Sequence, residues 1–218
     1  MIAVSIPNVK FVGLSGGIGS GKSEVGRRLA LKGAEVIDVD QLSRELQQPG
    51  QPLFDQIVER WGVDILDESG YLDRAALARV VFHDKAQLAE ITAMVAPITE
   101  NEIVRRALLH QGSDDVVIME SAMGNQRMYG QEGLIVTVAP VEIAVSRLVT
   151  HRGMNAEDAR ARVALQLPPE QRVAHADFVI DNAGDLPELD GQVERAWQWI
   201  QQTADATPRV ERAAQRQT

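Results

Sequence analysis

The sequence predicts an α/β protein, a doubly wound five-stranded parallel sheet with helices on both faces. Three observations carry this prediction. Five short, mostly apolar runs recur along the 218 residues, each suited to a buried parallel strand. Stretches with helical spacing alternate with those runs. Between the first run and the first helix lies a glycine-rich loop, Gly16–Ser23. A chain of this length accommodates one such domain carrying a smaller inserted subdomain.

The elements follow in order. Residues 10–14 form the first strand, and Glu24 to Lys32 the first helix, with Val25 and Leu29 on one face. Gly33 ends that helix, and 34–38 is the second strand. A helix is expected over 41–48. Pro49-Gly50 breaks the chain, and Pro52 opens a helix reaching residue 59 or 60. A turn at 67–70 precedes a helix over 75–81. A longer helical segment covers 85–110, where Pro97 is expected to kink or divide it. The third and fourth strands are 116–119 and 134–138, and a helix spans 141–152. Asn155 caps the next helix, with Asp158 at its third position, and that helix runs to about residue 167 before Pro168-Pro169. The last strand is 178–181 and the last helix about 186–202. The domain reading is therefore a core of 1–50 and 111–202, an inserted helical block of 51–110, and a flexible polar tail of 203–218.

Composition narrows the function classes. The hydrophobic fraction of 44% and charged fraction of 24% are ordinary for a soluble globular protein. A formal charge of −9 argues against a general nucleic-acid surface, since phosphate backbones reward a basic face. The arginines between Arg147 and Arg172 still leave room for a local polyanion pocket. The absence of cysteine excludes disulfides, Cys-based zinc sites and thiol catalysis. Pro7 and Asn8 interrupt any secretory apolar core, and no apolar run approaches the length of a membrane span. Cytoplasmic residence without a membrane partner is expected, with a monomer as the default.

The loop carries the chemistry. Gly16–Ser23 satisfies the spacing G-x-x-x-x-G-K followed by Ser or Thr, between a strand and a helix as a phosphate-wrapping loop requires. Its glycines permit backbone conformations in which successive N–H groups face one concavity. Gly17, Ile18, Gly19, Ser20, Gly21, Lys22, Ser23 and Glu24 form the candidate nucleotide-binding segment. Lys22 supplies positive charge to the β/γ-phosphates, and the Ser23 hydroxyl is a candidate Mg²⁺ ligand. The helix start adds its dipole and free N–H groups.

Asp38 and Asp40 stand at the carboxyl end of the second strand, the end that faces a ligand crevice in such sheets. A carboxylate there can orient an acceptor hydroxyl and take its proton during phosphoryl transfer. The alternative is a helix cap, which suits Asp38 as well as the site does and Asp40 less. Arg147 and Arg152, near the end of the 141–152 helix, either close over a triphosphate or form a solvated basic helix end.

Several blocks in order resemble bacterial dephospho-coenzyme A kinase. They are the loop with its preceding strand, the run Val36-Ile-Asp-Val-Asp-Gln-Leu-Ser-Arg-Glu45, Arg147 to Met154, Ala159 to Gln166, and Ala176 to Asn182. The resemblance implies a P-loop kinase fold with a helical substrate subdomain and a lid at about 147–172. It implies transfer of the ATP γ-phosphate, with Mg²⁺, to the ribose 3′-hydroxyl of dephospho-CoA, the last step of CoA biosynthesis. Asp40 is then the base or hydroxyl positioner, Lys22 and Arg147 stabilise charge, and Ser15 and Arg44 approach the substrate. Arg152 and Arg172 are the further lid contacts, and Glu120 is a carboxylate acting on Mg²⁺ through water. Two stretches depart from the family pattern. Ala96-Pro97 replaces a His-Pro pair, and Met119 to Arg127 lacks a Pro-Leu-Leu wall. Both lie on the acceptor side, leaving open a related kinase with another acceptor or a catalytically weak nucleotide-binding regulator.

Overall fold

A computed structural model describes residues 9–122 and 126–206. Strand β1 (Lys10–Gly16) is buried at every position but its first, which makes it an interior strand. Helix α1 (Lys22–Leu31) follows the glycine loop, then β2 (Glu35–Asp38), which has only Ile37 buried. Strand β3 (Val116–Glu120) is buried throughout, and β4 (Gly133–Val138) nearly so. The last strand is β5 (Phe178–Asp181). The sheet order is β2-β3-β1-β4-β5, so the most apolar strands lie inside and the less buried β2 and β5 lie at the edges. β1 runs parallel to β3 and β4, and β4 parallel to β5.

Helix α2 (Val39–Leu46) follows β2 directly, beginning two residues before the expected start. Asp38 explains the early start, because its Oδ1 accepts the Gln41 N–H at 3.0 Å. Pro52 opens α3 (Pro52–Trp61), and Asp73 caps α4 (Arg74–Val81) by accepting from Ala75 and Ala76. Of the two outcomes expected at Pro97, a kink or a division, helix α5 (Lys85–Leu108) excludes the division, since it runs through Pro97 as one element. A proline removes a single N–H donor, and apolar packing by Ile91, Met94, Val95 and Ile98 holds the helix on both sides of Pro97.

Helix α6 (Val141–Arg152) has the expected bounds. Helix α7 (Ala156–Ala164), capped by Asn155, stops short of residue 167, and a helix that the sequence reading lacked, α8 (Pro169–Val173), follows. Pro168-Pro169 ends the α7 pattern, but Pro169 also stands at N1 of α8, where its missing N–H costs nothing. Helix α9 (Leu186–Ala206) takes in the first four residues of the expected tail, where alanine favours helix. The rest of that tail, 207–218, lies outside the described residues.

Contacts divide the chain into two units, one formed by the residues up to Ile37 and from Arg106 onward, the other by Asp38–Arg105. In the first, Val12, Leu14, Val116, Ile118, Ile135 and Ile180 of the sheet pack on Val25 and Leu29 of α1 and on Leu189, Val193, Ala196 and Ile200 of α9. In the second, Leu53 and Ile57 of α3 pack on Ile65 and on Leu77 and Val81 of α4.

Candidate active site

The site grows from the carboxyl ends of β1 and β3. Register pairs Leu14 with Glu120, which sets the Glu120 carboxylate beside the loop that leaves β1. Glu120 is 4% exposed, and its Oε1 accepts from Lys22 Nζ at 2.7 Å and from Ser23 Oγ at 2.7 Å. The charge of Lys22 is thus balanced from the protein side. Its other oxygen lies against α1 so closely that a Cβ at Gly26 would stand 2.6 Å from it. A side chain at Gly26 would force the carboxylate to shift.

The rest of the loop is braced from three directions. Asn182, just beyond β5 and buried, donates from Nδ2 to the Ser20 carbonyl at 2.9 Å. Its Oδ1 accepts from Arg147 Nη2 at 3.3 Å. Gly19 has φ +76° and runs under α6, where a Cβ would come within 2.6 Å of the Ala144 carbonyl oxygen. Gln166, between α7 and α8, accepts the Ile18 N–H on Oε1 at 2.7 Å. Below this line of contacts Ile18 packs with Val145, Leu148 and Ala159.

A cavity of about 380 Å³ lies between the loop, the end of β4 and the α6–α8 segment. Its walls are largely apolar, contributed by Val138, Ala139, Val163 and Leu167 among others. Ser20 and Thr137 also line it, and their buried hydroxyl oxygens have no hydrogen-bond partner among the described residues. The same holds for Nη1 of Arg147. Buried polar atoms without partners are uncommon in folded proteins, and three around one phosphate loop mark a place built for a polar ligand.

Each expected residue has a definite setting. Ser15 is buried within β1, and Lys22 and Ser23 stand on Glu120. The Glu24 carboxylate turns along the helix to Arg27 at 2.7 Å and Arg28 at 3.2 Å, and the hydrogen bond from Arg27 lowers its pKa. Arg172, on α8, is buried beside Gly17; its Nε donates to the Leu167 carbonyl at 3.1 Å, and burial pulls the guanidinium below its ordinary pKa. Arg152 is exposed in the last turn of α6. In the second unit, Asp38 serves as the α2 cap while Asp40 lies exposed in the first turn, with Arg44 one turn further on. Arg74 neighbours Arg44, and burial first, then the Arg44 charge, lower the Arg74 pKa.

The residues fit a magnesium–nucleotide. Ser23 Oγ and Glu120 Oε1 are hard oxygen donors 2.7 Å apart beside a lysine. No cluster of three His, Cys, Asp or Glu side chains that could cage a metal occurs among the described residues. Magnesium takes such a small protein set, keeping waters and phosphate oxygens as its other ligands.

Comparison with known proteins agrees with this geometry. The family model described as dephospho-CoA kinase matches residues 10–188. The chain belongs to the dephospho-CoA kinase family. The dephospho-CoA kinase of Thermobifida fusca (strain YX) is 42% identical over 191 residues, covering 87% of this chain and 96% of that protein. That of Streptomyces avermitilis is 41% identical over 189 residues, covering 85% and 91%. A crystal structure of TT1252 from Thermus thermophilus superposes with a TM-score of 0.73 at 27% identity, covering 88% of this chain and 97% of that one. The dephospho-CoA kinase from Campylobacter jejuni, at 19% identity and a TM-score of 0.66, shares the fold, which is that of P-loop kinases.

Against that family, the two departures have structural addresses. Ala96 and Pro97 lie within α5 of the second unit. Of the stretch Met119 to Arg127, residues 123–125 are outside the described residues. Arg127 beyond them donates from Nε to Asp177 at 2.9 Å. Sequence reasoning singled out neither Asn182 nor Gln166 as a site residue. Both end blocks that carry the family resemblance, and that placement was the signal available.

Proposed function

We propose that this protein transfers the γ-phosphate of ATP to the ribose 3′-hydroxyl of dephospho-CoA, giving CoA and ADP in the last step of CoA biosynthesis. The observation that carries the reading is the Lys22–Glu120–Ser23 cluster at the end of a phosphate loop, in a chain matched to the family over 10–188. The family match favours dephospho-CoA over other acceptors. It equally favours a kinase over a nucleotide-binding regulator.

In this reading the segment Gly17 to Glu24 and the start of α1 receive the triphosphate, and Lys22 exchanges Glu120 for β/γ-oxygens. The triphosphate is met by loop N–H groups other than those of Ile18, Ser20 and Glu24, which bond Gln166, Gly17 and Gly21. Ser23, with Glu120 through water, would hold Mg²⁺, which supplies charge neutralisation on the phosphates. The α6–α8 segment, about 147–172, is the lid, and the block from 51 to 110 receives the acceptor. Arg147 stabilises charge spreading onto the transferring oxygens, as its unpartnered buried Nη1 supports, with Arg172 and Arg152 as further lid contacts. Asp40 accepts the proton of the attacking 3′-hydroxyl, and Ser15 and Arg44 orient the acceptor. Asp40 is free for that role because Asp38, not Asp40, caps α2. The protein works in the cytoplasm as a monomer, without nucleic acid. No helix among the described residues is long and apolar enough to cross a membrane.

The test is an assay of purified protein with ATP, Mg²⁺ and dephospho-CoA, following CoA and ADP together. Equal yields of both are expected. ADP without CoA, or turnover of another hydroxyl compound in preference to dephospho-CoA, overturns the reading.

A further inference from the structure

The contact of Gln166 with the phosphate loop has no part in the chemistry proposed above, yet it joins residues 148 positions apart. Gln166 lies in the link between α7 and α8, on the wall of the cavity it shares with Gly17 and Ile18. Its Oε1 takes the Ile18 N–H at 2.7 Å, and a Cβ at Gly17 would stand 3.2 Å from the same oxygen. The link itself is held from α8, where Arg172 Nε donates to the carbonyl of Leu167 at 3.1 Å. Behind the loop, the Ile18 side chain packs on the cluster of Val145 and Leu148 of α6 and Ala159 of α7. Ile18 is therefore gripped on its backbone and on its side chain by the same segment.

We infer that Gln166 is a positioning residue for phosphoryl transfer, whose amide oxygen clamps the Ile18 N–H and ties the α6–α8 segment to the shape of the phosphate loop. The inference rests on the reading of that segment as the lid. The chemistry explains the residue type. A backbone N–H of an anion-binding loop needs an acceptor, and a neutral amide supplies one without a negative charge beside the phosphates. A glutamate would accept as well but would repel them. An alanine would accept nothing.

Amide hydrogen exchange at Ile18, in the full chain without nucleotide, tests the clamp, together with steady-state kinetics of Gln166→Ala and Gln166→Glu. In Gln166→Ala, Ile18 exchange should accelerate about three- to tenfold, the worth of one net hydrogen bond. Its kcat should fall by a similar factor while the ATP KM stays within about twofold, the pattern of lost positioning rather than lost ground-state binding. In Gln166→Glu, Ile18 protection should remain at the wild-type level, while the ATP KM rises about fivefold through like-charge repulsion. A purely packing role moves both variants alike. Unchanged Ile18 exchange or unchanged kcat in the alanine variant overturns the inference, as does equal loss of protection in both. Wild-type protein that makes no CoA from dephospho-CoA overturns the functional reading alone, and the clamp is then judged by Ile18 exchange.

Discussion

The phosphate loop and helix α2 carry comparable charge chemistry in opposite conditions. Around the loop, Lys22, Ser23, Ser20 and Ile18 are each held by a side chain from a distant part of the sequence: Glu120, Asn182 or Gln166. On α2, Asp40 and Arg44 are exposed, and the carboxylate with a structural duty is that of Asp38. The difference teaches that the donor side is shaped by the protein before any substrate arrives. Asp40 and Arg44, the groups proposed for the acceptor, are exposed and keep their hydration, which would let them exchange water for substrate at low cost. A braced residue should therefore affect both stability and nucleotide binding, and an unbraced one turnover alone.

The largest expected effect comes from Lys22→Ala. It removes the lysine proposed to meet the phosphates and leaves Glu120 without its partner charge, so kcat for CoA formation should fall at least about a thousandfold. Retention of more than a tenth of wild-type kcat would place the phosphate charge on other residues. Asp40→Asn comes next, with kcat expected to fall about a hundred- to ten-thousandfold for loss of a general base. ATP affinity, followed by calorimetry, and thermal stability should be unchanged. Loss of ATP affinity in parallel would erase the contrast between the two regions.

Glu120→Gln sharpens the braced side. The variant leaves the Lys22 charge partly buried without a counter-ion, and breaking such a pair costs about 3 kcal/mol. Nucleotide phosphates restore an opposite charge to Lys22. The thermal shift on adding ATP should therefore be larger in Glu120→Gln than in wild type, by about as much as the nucleotide-free protein has lost. An equal shift in both proteins would mean that Lys22 and Glu120 stay paired when nucleotide binds.

The same contrast explains what could be read from sequence. The loop and the order of elements are local patterns: β1, β5 and α6 follow from apolar runs, turn residues and a proline at the helix start. The braces are not local. Asn182 is 162 residues from Ser20, and Gln166 is 148 from Ile18, so no periodicity points to them. Glu120 lies between the two: the family resemblance makes it a metal candidate, and register with Leu14 sets it on Lys22 and Ser23. Helix α8 was missed because two prolines read as a stop when the second one starts a turn. For Asp40, the strand end and the family resemblance carry the assignment. Its exposed setting adds only that it is not spent on a cap.

The smallest effect concerns a charge in the first unit that its surroundings do not brace. Glu132, just before β4, has a buried Oε2 with no partner among the described residues. Burial raises its pKa above the ordinary 4.5, and the charge of Lys10 opposes only part of that. A carboxyl whose folded pKa is raised binds its proton more tightly in the folded state. Its favourable contribution is complete below 4.5 and is lost as pH rises through the folded value. Wild-type protein should therefore lose a little stability to this group between pH 4.5 and neutrality. Glu132→Gln removes that loss, and its urea midpoint should exceed that of wild type at pH 7 by the equivalent of less than about 1 kcal/mol, with the difference shrinking toward pH 4.5. A midpoint that falls at pH 7 would mean that the carboxylate is braced after all, by Lys10, and that the first unit holds its charges uniformly.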